Sequence, residues 1–466
     1  MGAGVAMSYK DFLRVQGSWA YKASLWAKVL AGRYPRFYLL SALILMLPGF
    51  CILLLFPSLV VTGAGVLVEE LPKVKTMEHW LAVEIWFAIL LFCLFFSQQI
   101  AQLNFPRVAG LKLSRELVPD LYSVVGSVQQ LTGQLAIRDI VITDRYELRI
   151  EEIPRFGYPL LMRKTLVVGM PLLQTLSEEQ FRNMLMHLFV QYAGGRFRPV
   201  HWIYRCRLWW CSYQTVLEKR RRFWFLPLRW FFSIYAPLFA ALTAPSARMD
   251  VLSADGAVLE WLNDRDYFDT LKSNSIAEIF LENYFWRGIY SSVMKQTGPG
   301  KAYPRPFEKL EHVDGYLKSK EFRGKCLEAA HCAETDITSV IPSLQIRMEN
   351  IGQLKLRETP LVERTAAAAC LGETRKNMVS LIDKLWSSTT LVQWRAEYEK
   401  RRTNIRAVKK LSQKSRRRVL NLEEMWRYAY IAHQLRGDPW HQSLWKLFKR
   451  NVDKLWPDSL RRHHVS

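Results

Sequence analysis

Between Arg36 and Glu69 the chain carries no charged residue, and an apolar run of that length leaves little choice of environment. Tyr38 to about Val61 is long enough to cross a hydrocarbon core as a helix, with Pro48 and Gly49 as a tolerated kink. A second apolar run, Trp80 to Leu103, holds one acid, Glu84, close to an end where it can reach water. Together they predict a two-helix membrane hairpin over 37–104. The connecting loop has three acids (Glu69, Glu70, Glu78) against two lysines. On the other side, 1–36 carries Lys10, Arg14, Lys22, Lys28, Arg33 and Arg36 against Asp11, and Arg107, Lys112 and Arg115 follow the second span. The positive-inside rule therefore puts both termini and the main domain in the cytoplasm, in an integral protein of bacterial inner-membrane type. The leader is too long and too aromatic for a secretory signal.

A chain of 466 residues, half of them hydrophobic, can bury a large core in more than one unit. Its seven cysteines form no paired framework, and Cys326 with His331 and Cys332 matches no common zinc spacing, so ordinary helix packing is expected there. A net charge of +23 asks for an acidic partner, either nucleic acid or an anionic membrane face. The 17 tryptophans favour the membrane.

Four segments are expected: 1–36 basic and N-terminal, 37–104 the hairpin, 105–360 a globular α+β domain, and 361–466 a basic helical region. The fold class is mainly α with a small β-sheet. Leu117–Leu131 reads as a helix, and Asp139–Thr143, Tyr146–Ile150 and Met162–Val168 as short strands. Phe223–Thr243 has span-like length, but Arg229, Pro227 and Pro237 favour a buried or interface-lying helix. Arg220, Arg221 and Arg222 before it are candidates for lipid phosphate contact. Residues 247–295 read as helical, 297–306 as a Gly/Pro loop, and 308–334 and 345–356 as mixed helix. Beyond Pro360, Ala366–Leu385 with Leu391–Leu411 reads as an antiparallel helix pair, and Leu422–Arg436 with Trp440–Leu455 as another. Lys400 to Arg418 contains ten Lys or Arg and no acid, ending in Arg416, Arg417 and Arg418. With no recognition motif beside it, lipid head groups are the more natural partner than nucleic acid.

Lys164 to Gly195 reads as a strand, a turn and a buried helix. The helix opens with Ser177 and Gln180 in capping-box spacing. His187 and Gln191 sit four apart, as do the two histidines of a His-Glu-x-x-His zinc helix, but Leu188 occupies the position of the intervening Glu. No phosphate-binding glycine loop and no serine elbow occur.

With these residues in view, residues 37–380 resemble the membrane zinc metallopeptidases of the HtpX and CAAX prenyl protease type. The likeness rests on the hairpin, on the run from Thr165 through Gly169, Leu172, Leu173 and Leu176–Glu179 into the His187 helix, and on Arg248, Ala254, Asp255, Pro342 and Arg347. The resemblance implies a site at His187, Leu188, Gln191, Val251, Asp255 and Arg347 in which two zinc ligands are replaced, by Gln191 and Val251. The water-activating base is replaced by Leu188, and a later His by Ile341. His187 is then the only surviving ligand-type residue, expected as a core histidine hydrogen-bonded to Asp255. No catalytic residue, metal or other cofactor is expected. The resulting reading is a membrane-anchored pseudopeptidase that binds a polypeptide or partner subunit without cleaving it. One alternative is an active zinc endopeptidase with substituted ligands, and a second is a membrane-tethered binder of nucleic acid or acidic lipid.

Overall fold

The computed structural model describes residues 18–73, 77–133, 137, 139–159, 161–193, 199–220, 222–289, 305–312, 319–333, 340–352, 360–418, 420 and 424. It is mainly helical, with one small mixed sheet. Two compact units emerge: Met1–Ile289 with Arg305–Leu385, and Tyr290–Pro304 with Trp386–Ser466.

The first unit opens with helix α1 (Ser18–Arg33), followed by α2 (Pro35–Glu70) and α3 (Met77–Ala101). Helices α2 and α3 are long and apolar enough to cross a membrane. Pro35 starts α2, where its missing N–H would be unpaired anyway, while Pro48 and Pro57 lie inside it. Beside Pro48, Gly49 lets the Trp210 indole approach so closely that a Cβ there would meet its ring carbons at 2.7 Å.

The sheet has the order β1–β2–β4–β3, built from β1 (Leu111–Leu113), β2 (Asp139–Thr143), β3 (Leu148–Pro154) and β4 (Met162–Gly169). Strand β4 pairs parallel to β2 and antiparallel to β3, with Ile140 beside Leu166 and Ile150 across from Leu166. The sequence pattern placed the strand corresponding to β3 at Tyr146–Ile150. Tyr146 instead lies before β3 and turns its hydroxyl to Asn274 Oδ1, 2.8 Å away. Helix α4 (Pro119–Thr132) begins at its proline and ends at Gly133, which is left-handed at φ 85°.

After β4 come α5 (Met170–Thr175), α6 (Glu178–Ala193), α7 (Pro199–Lys219) and α8 (Leu226–Leu242). The stretch Phe223–Leu242 is a third helix long and apolar enough to span. Pro227 sits in the first turn of α8, where proline is tolerated, so it does not count against a span as the sequence suggested. One side of α8 is buried with Trp210, Tyr213 and Leu53 in a core shared by α2 and α7. The other side exposes Leu226, Trp230 and Ile234.

Helices α9 (Ala244–Val258) and α10 (Asp264–Phe280) follow, then a π-turn at Leu281–Phe285, α11 (Pro306–Glu311), α12 (Lys320–His331), α13 (Leu344–Asn350) and α14 (Ala366–Cys370). Cys326 is buried in α12, and Cys332 lies just past its end, exposed.

The antiparallel pair expected from Ala366 to Leu411 is not formed. Helix α14 is a separate short element, closed by Gly372 at φ 49°, and Arg375–Arg417 is one continuous helix, α15. The presumed break at Ser387–Thr390 holds no Gly or Pro, and Thr389 Oγ1 bonds back to the Trp386 carbonyl at 3.1 Å without interrupting the helix. In the second unit, Lys414 and Arg418 both reach Glu424. The helices expected at 422–436 and 440–455, and most of the 297–306 loop, lie outside the described residues.

Candidate functional site

Helix α6 is set locally before it packs. The Ser177 amide donates to Gln180 Oε1 at 3.0 Å, and the Gln180 amide donates to Ser177 Oγ at 3.2 Å, the reciprocal bonds of a capping box. Strand β4 feeds the helix through α5. Phe181, Leu185 and Phe189 are fully buried.

One line of positions on α6 is polar and also buried: Gln180, Asn183, His187 and Gln191. Spaced three or four apart, these side chains share one face. Gln180 Nε2 donates to Ser273 Oγ at 2.9 Å, and Asn183 Nδ2 to Thr270 Oγ1 at 3.0 Å. His187 Nε2 lies 3.0 Å from Asp255 Oδ1, close in distance though off hydrogen-bond alignment. Its ring stacks at an 18° angle on Tyr267, with centroids 6.3 Å apart. Gln191 Nε2 donates to Asp250 Oδ2 at 2.9 Å, and His201 Nδ1 is 3.4 Å from the same oxygen. The partners at Ser273, Thr270 and Tyr267 step back along α10 three residues at a time, while Asp255 and Asp250 descend α9.

Asp255 is the centre of this ladder and is fully buried. Arg347 on α13 grips it with both arms, Nε to Oδ2 at 2.9 Å and Nη2 to Oδ1 at 2.5 Å, and the Tyr267 hydroxyl donates at 2.6 Å. Burial pushes the Asp255 carboxyl up, but the Arg347 charge and hydrogen bonds outweigh it and hold the group well below the usual carboxylate range. Burial and the neighbouring carboxylate keep the Tyr267 phenol protonated, although Arg347 opposes them.

The structure thus brings His187, Asp255 and Arg347 into one cluster and places Gln191 a turn away on Asp250. Leu188 and Val251 are buried and apolar, and Ile341 is exposed. Among the described residues no three His, Cys, Asp or Glu side chains are grouped to hold a metal ion. Tyr267 and His201 were not singled out from the sequence as partners. Each meets its neighbour across a helix boundary, where spacing carries no signal.

Of the lipid candidates, Arg222 is exposed and donates to Gln99 Oε1 at 3.4 Å, in the last turns of α3, while Arg220 is half-buried. Arg221 lies outside the described residues. Arg417 and Arg418 are exposed at the end of α15, in which Arg416 also lies.

Comparison with protein-family models, with curated proteins and with solved structures finds no match to this chain.

Proposed function

We propose that this chain is a membrane-anchored, catalytically inert protein of metallopeptidase-like build, whose body on the cytoplasmic side holds a polypeptide or partner subunit without cutting it. The observation that carries this reading is the closed polar ladder between α6, α9 and α10. In the resembled zinc enzymes the equivalent helix directs donors at a metal, with a fourth position open for water. Here Gln191 is spent on Asp250, and Asp255 is spent on Arg347 and Tyr267. His187 alone remains of the inferred ligand set. Leu188 has no group that could take a proton from water at any pH. This donor set does not fit a catalytic zinc ion.

Fluorescein-labelled, unfolded casein tests both halves of the proposal on the full chain in lipid nanodiscs. The expected result is saturable binding, intact casein after incubation, and zinc well below one per chain by elemental analysis. Chelator-sensitive cleavage with stoichiometric zinc would establish the active endopeptidase instead. Absence of binding would remove the polypeptide-holding half.

A further inference from the structure

The hairpin tip that joins β3 to β4 is pinned to the end of α3. Tyr158 donates its hydroxyl to the Ser97 carbonyl at 2.9 Å, and Tyr213 donates to the Gly157 carbonyl at 2.6 Å. Gly157, at φ 67°, comes so near the Ile100 carbonyl that any Cβ would overlap it, so this close seating of the tip requires glycine. The α3 residues it touches are where that helix stops being apolar: Phe95 and Phe96 give way to Ser97, Gln98 and Gln99. In a helix of membrane-spanning composition such a change marks the head-group layer. Phe156 and Leu161 on the tip are 59% and 58% exposed, two large apolar side chains open mostly to solvent.

At the base of this tip lies a cleft of about 1040 Å³, walled by the segment that leaves α3 and by the sheet. Its apolar wall includes Leu103, Phe105 and Met162. Its charged lining is Arg107, Lys112, Arg155, Arg163 and Lys164 against one acid, Asp139. Lys112 and Arg163 share that acid, at 2.7 and 2.6 Å. Lys164 is 4.0 Å from Glu152, which Arg205 already holds. Arg107 and Arg155 are exposed and have no carboxylate partner among the described residues.

We infer that this cleft is a binding site for an anionic phospholipid of the surrounding leaflet. Arg107 and Arg155 take the phosphate, Phe105 and Met162 flank the glycerol and upper acyl chain, and Phe156 and Leu161 dip into the interface beside it. Position, charge and apolar wall agree on this occupant. A soluble phosphate would use the cations but not the apolar wall, and a zwitterionic lipid would cancel the charge. The site is distinct from the basic runs at 220–222 and 400–418 and does not depend on the peptidase-like reading.

Native mass spectrometry of the full chain in detergent, titrated with phosphatidylglycerol or phosphatidylcholine, tests it. The parent should retain phosphatidylglycerol preferentially. With about 1 kcal/mol per cation near an anionic head group, Arg107→Gln with Arg155→Gln should lower that affinity roughly 30-fold. Both positions are exposed, so an unchanged melting temperature is expected, and Arg107→Lys with Arg155→Lys should keep affinity within a few-fold of the parent. Equal retention of the two lipids, parent-like affinity in the glutamine variant, or loss in the lysine variant would overturn the inference. Displacement by equimolar glycerol 1-phosphate would assign the cleft to a soluble phosphate, and displacement by an acidic peptide to a protein partner. Either result also overturns it.

Discussion

Two buried aspartates of the first unit respond to acid in opposite directions, and the difference lies in what faces them. Asp255 has a guanidinium on both oxygens, which holds its carboxyl below the ordinary value of 3.8. Its contribution is therefore present above about pH 4 and is lost only as the pH falls through the depressed folded value. Asp383 faces two backbone amides. It accepts the Phe307 and Glu308 amides at 3.0 and 3.2 Å, capping α11, but burial outweighs those bonds and pushes its carboxyl up to about 6. The folded chain then takes up a proton that the unfolded chain has already released, so this group's share of stability is full below about pH 4 and declines as pH rises through 6. Asp383→Asn should flatten the pH dependence of the melting temperature between pH 4 and 7, which thermal unfolding in detergent would measure. Arg347→Met should be much more damaging. It leaves Asp255 buried with no guanidinium to offset its charge, at a cost of about 3–5 kcal/mol. His187→Ala removes a stacked ring and one close polar contact and should cost about 1–3 kcal/mol. If the two variants melted together, Arg347 would not be the partner that holds Asp255 in place.

At the scale of elements, what could be read from the sequence was what is local. The capping box at Ser177 and Gln180 depends on residues three apart, and both of its bonds are present. Ser177→Ala should lower stability by about 1 kcal/mol, measurable as a shift in the urea midpoint at unchanged slope. Strand β2 was legible in full because Asp139–Thr143 is β-branched and bounded by breakers. Strand β1 was not, since Leu111–Leu113 is too short to show alternation and exists only because β2 offers it an edge. The division of 366–411 into two helices failed for another reason. A polar Ser/Thr cluster resembles a loop by composition, yet without Gly or Pro nothing in it forbids helix. The ladder along α6 was half legible. Gln180, Asn183, His187 and Gln191 lie on one face by spacing alone, but their partners sit on α9 and α10 in an order that only the tertiary fold supplies.

At the scale of the whole molecule, helix α2 is long and apolar enough to cross a membrane and is also part of the folded body. At 1.5 Å per residue, the 36 residues of α2 measure about 54 Å, against a hydrocarbon core of about 30 Å. The excess is not spare length, because the first half of α2 is built into the body. The Tyr38 hydroxyl donates to the Leu242 carbonyl at 2.9 Å and accepts the Ser246 amide at 3.2 Å. Tyr235 donates to the Leu45 carbonyl at 2.6 Å. Ala42 and Leu53 sit in one core with Trp210, Phe232 and Phe239, where Phe50 meets the Trp210 ring edge-on at 4.9 Å. Removing 1–104 would thus strip the covering from α7 and α8 and expose large aromatic side chains to water, in addition to deleting an anchor. Burial of one such side chain is worth roughly 1.5–3 kcal/mol, and a domain's net stability is only about 5–15 kcal/mol. Losing the cover from several should exceed what the remaining fold can bear. A fragment starting at Pro106 is therefore expected to be aggregated or molten. It should show no cooperative melt and should bind a dye that reports exposed apolar surface, while the full chain in detergent elutes as a single species and melts cooperatively. A second fragment that begins at Ser18 and replaces only 57–96 with a short polar loop keeps Tyr38, Ala42, Phe50 and Leu53, and should recover a cooperative transition. If the Pro106 fragment were soluble, monomeric and cooperative, α2 would be a removable anchor and its packing against Trp210 would be incidental to folding.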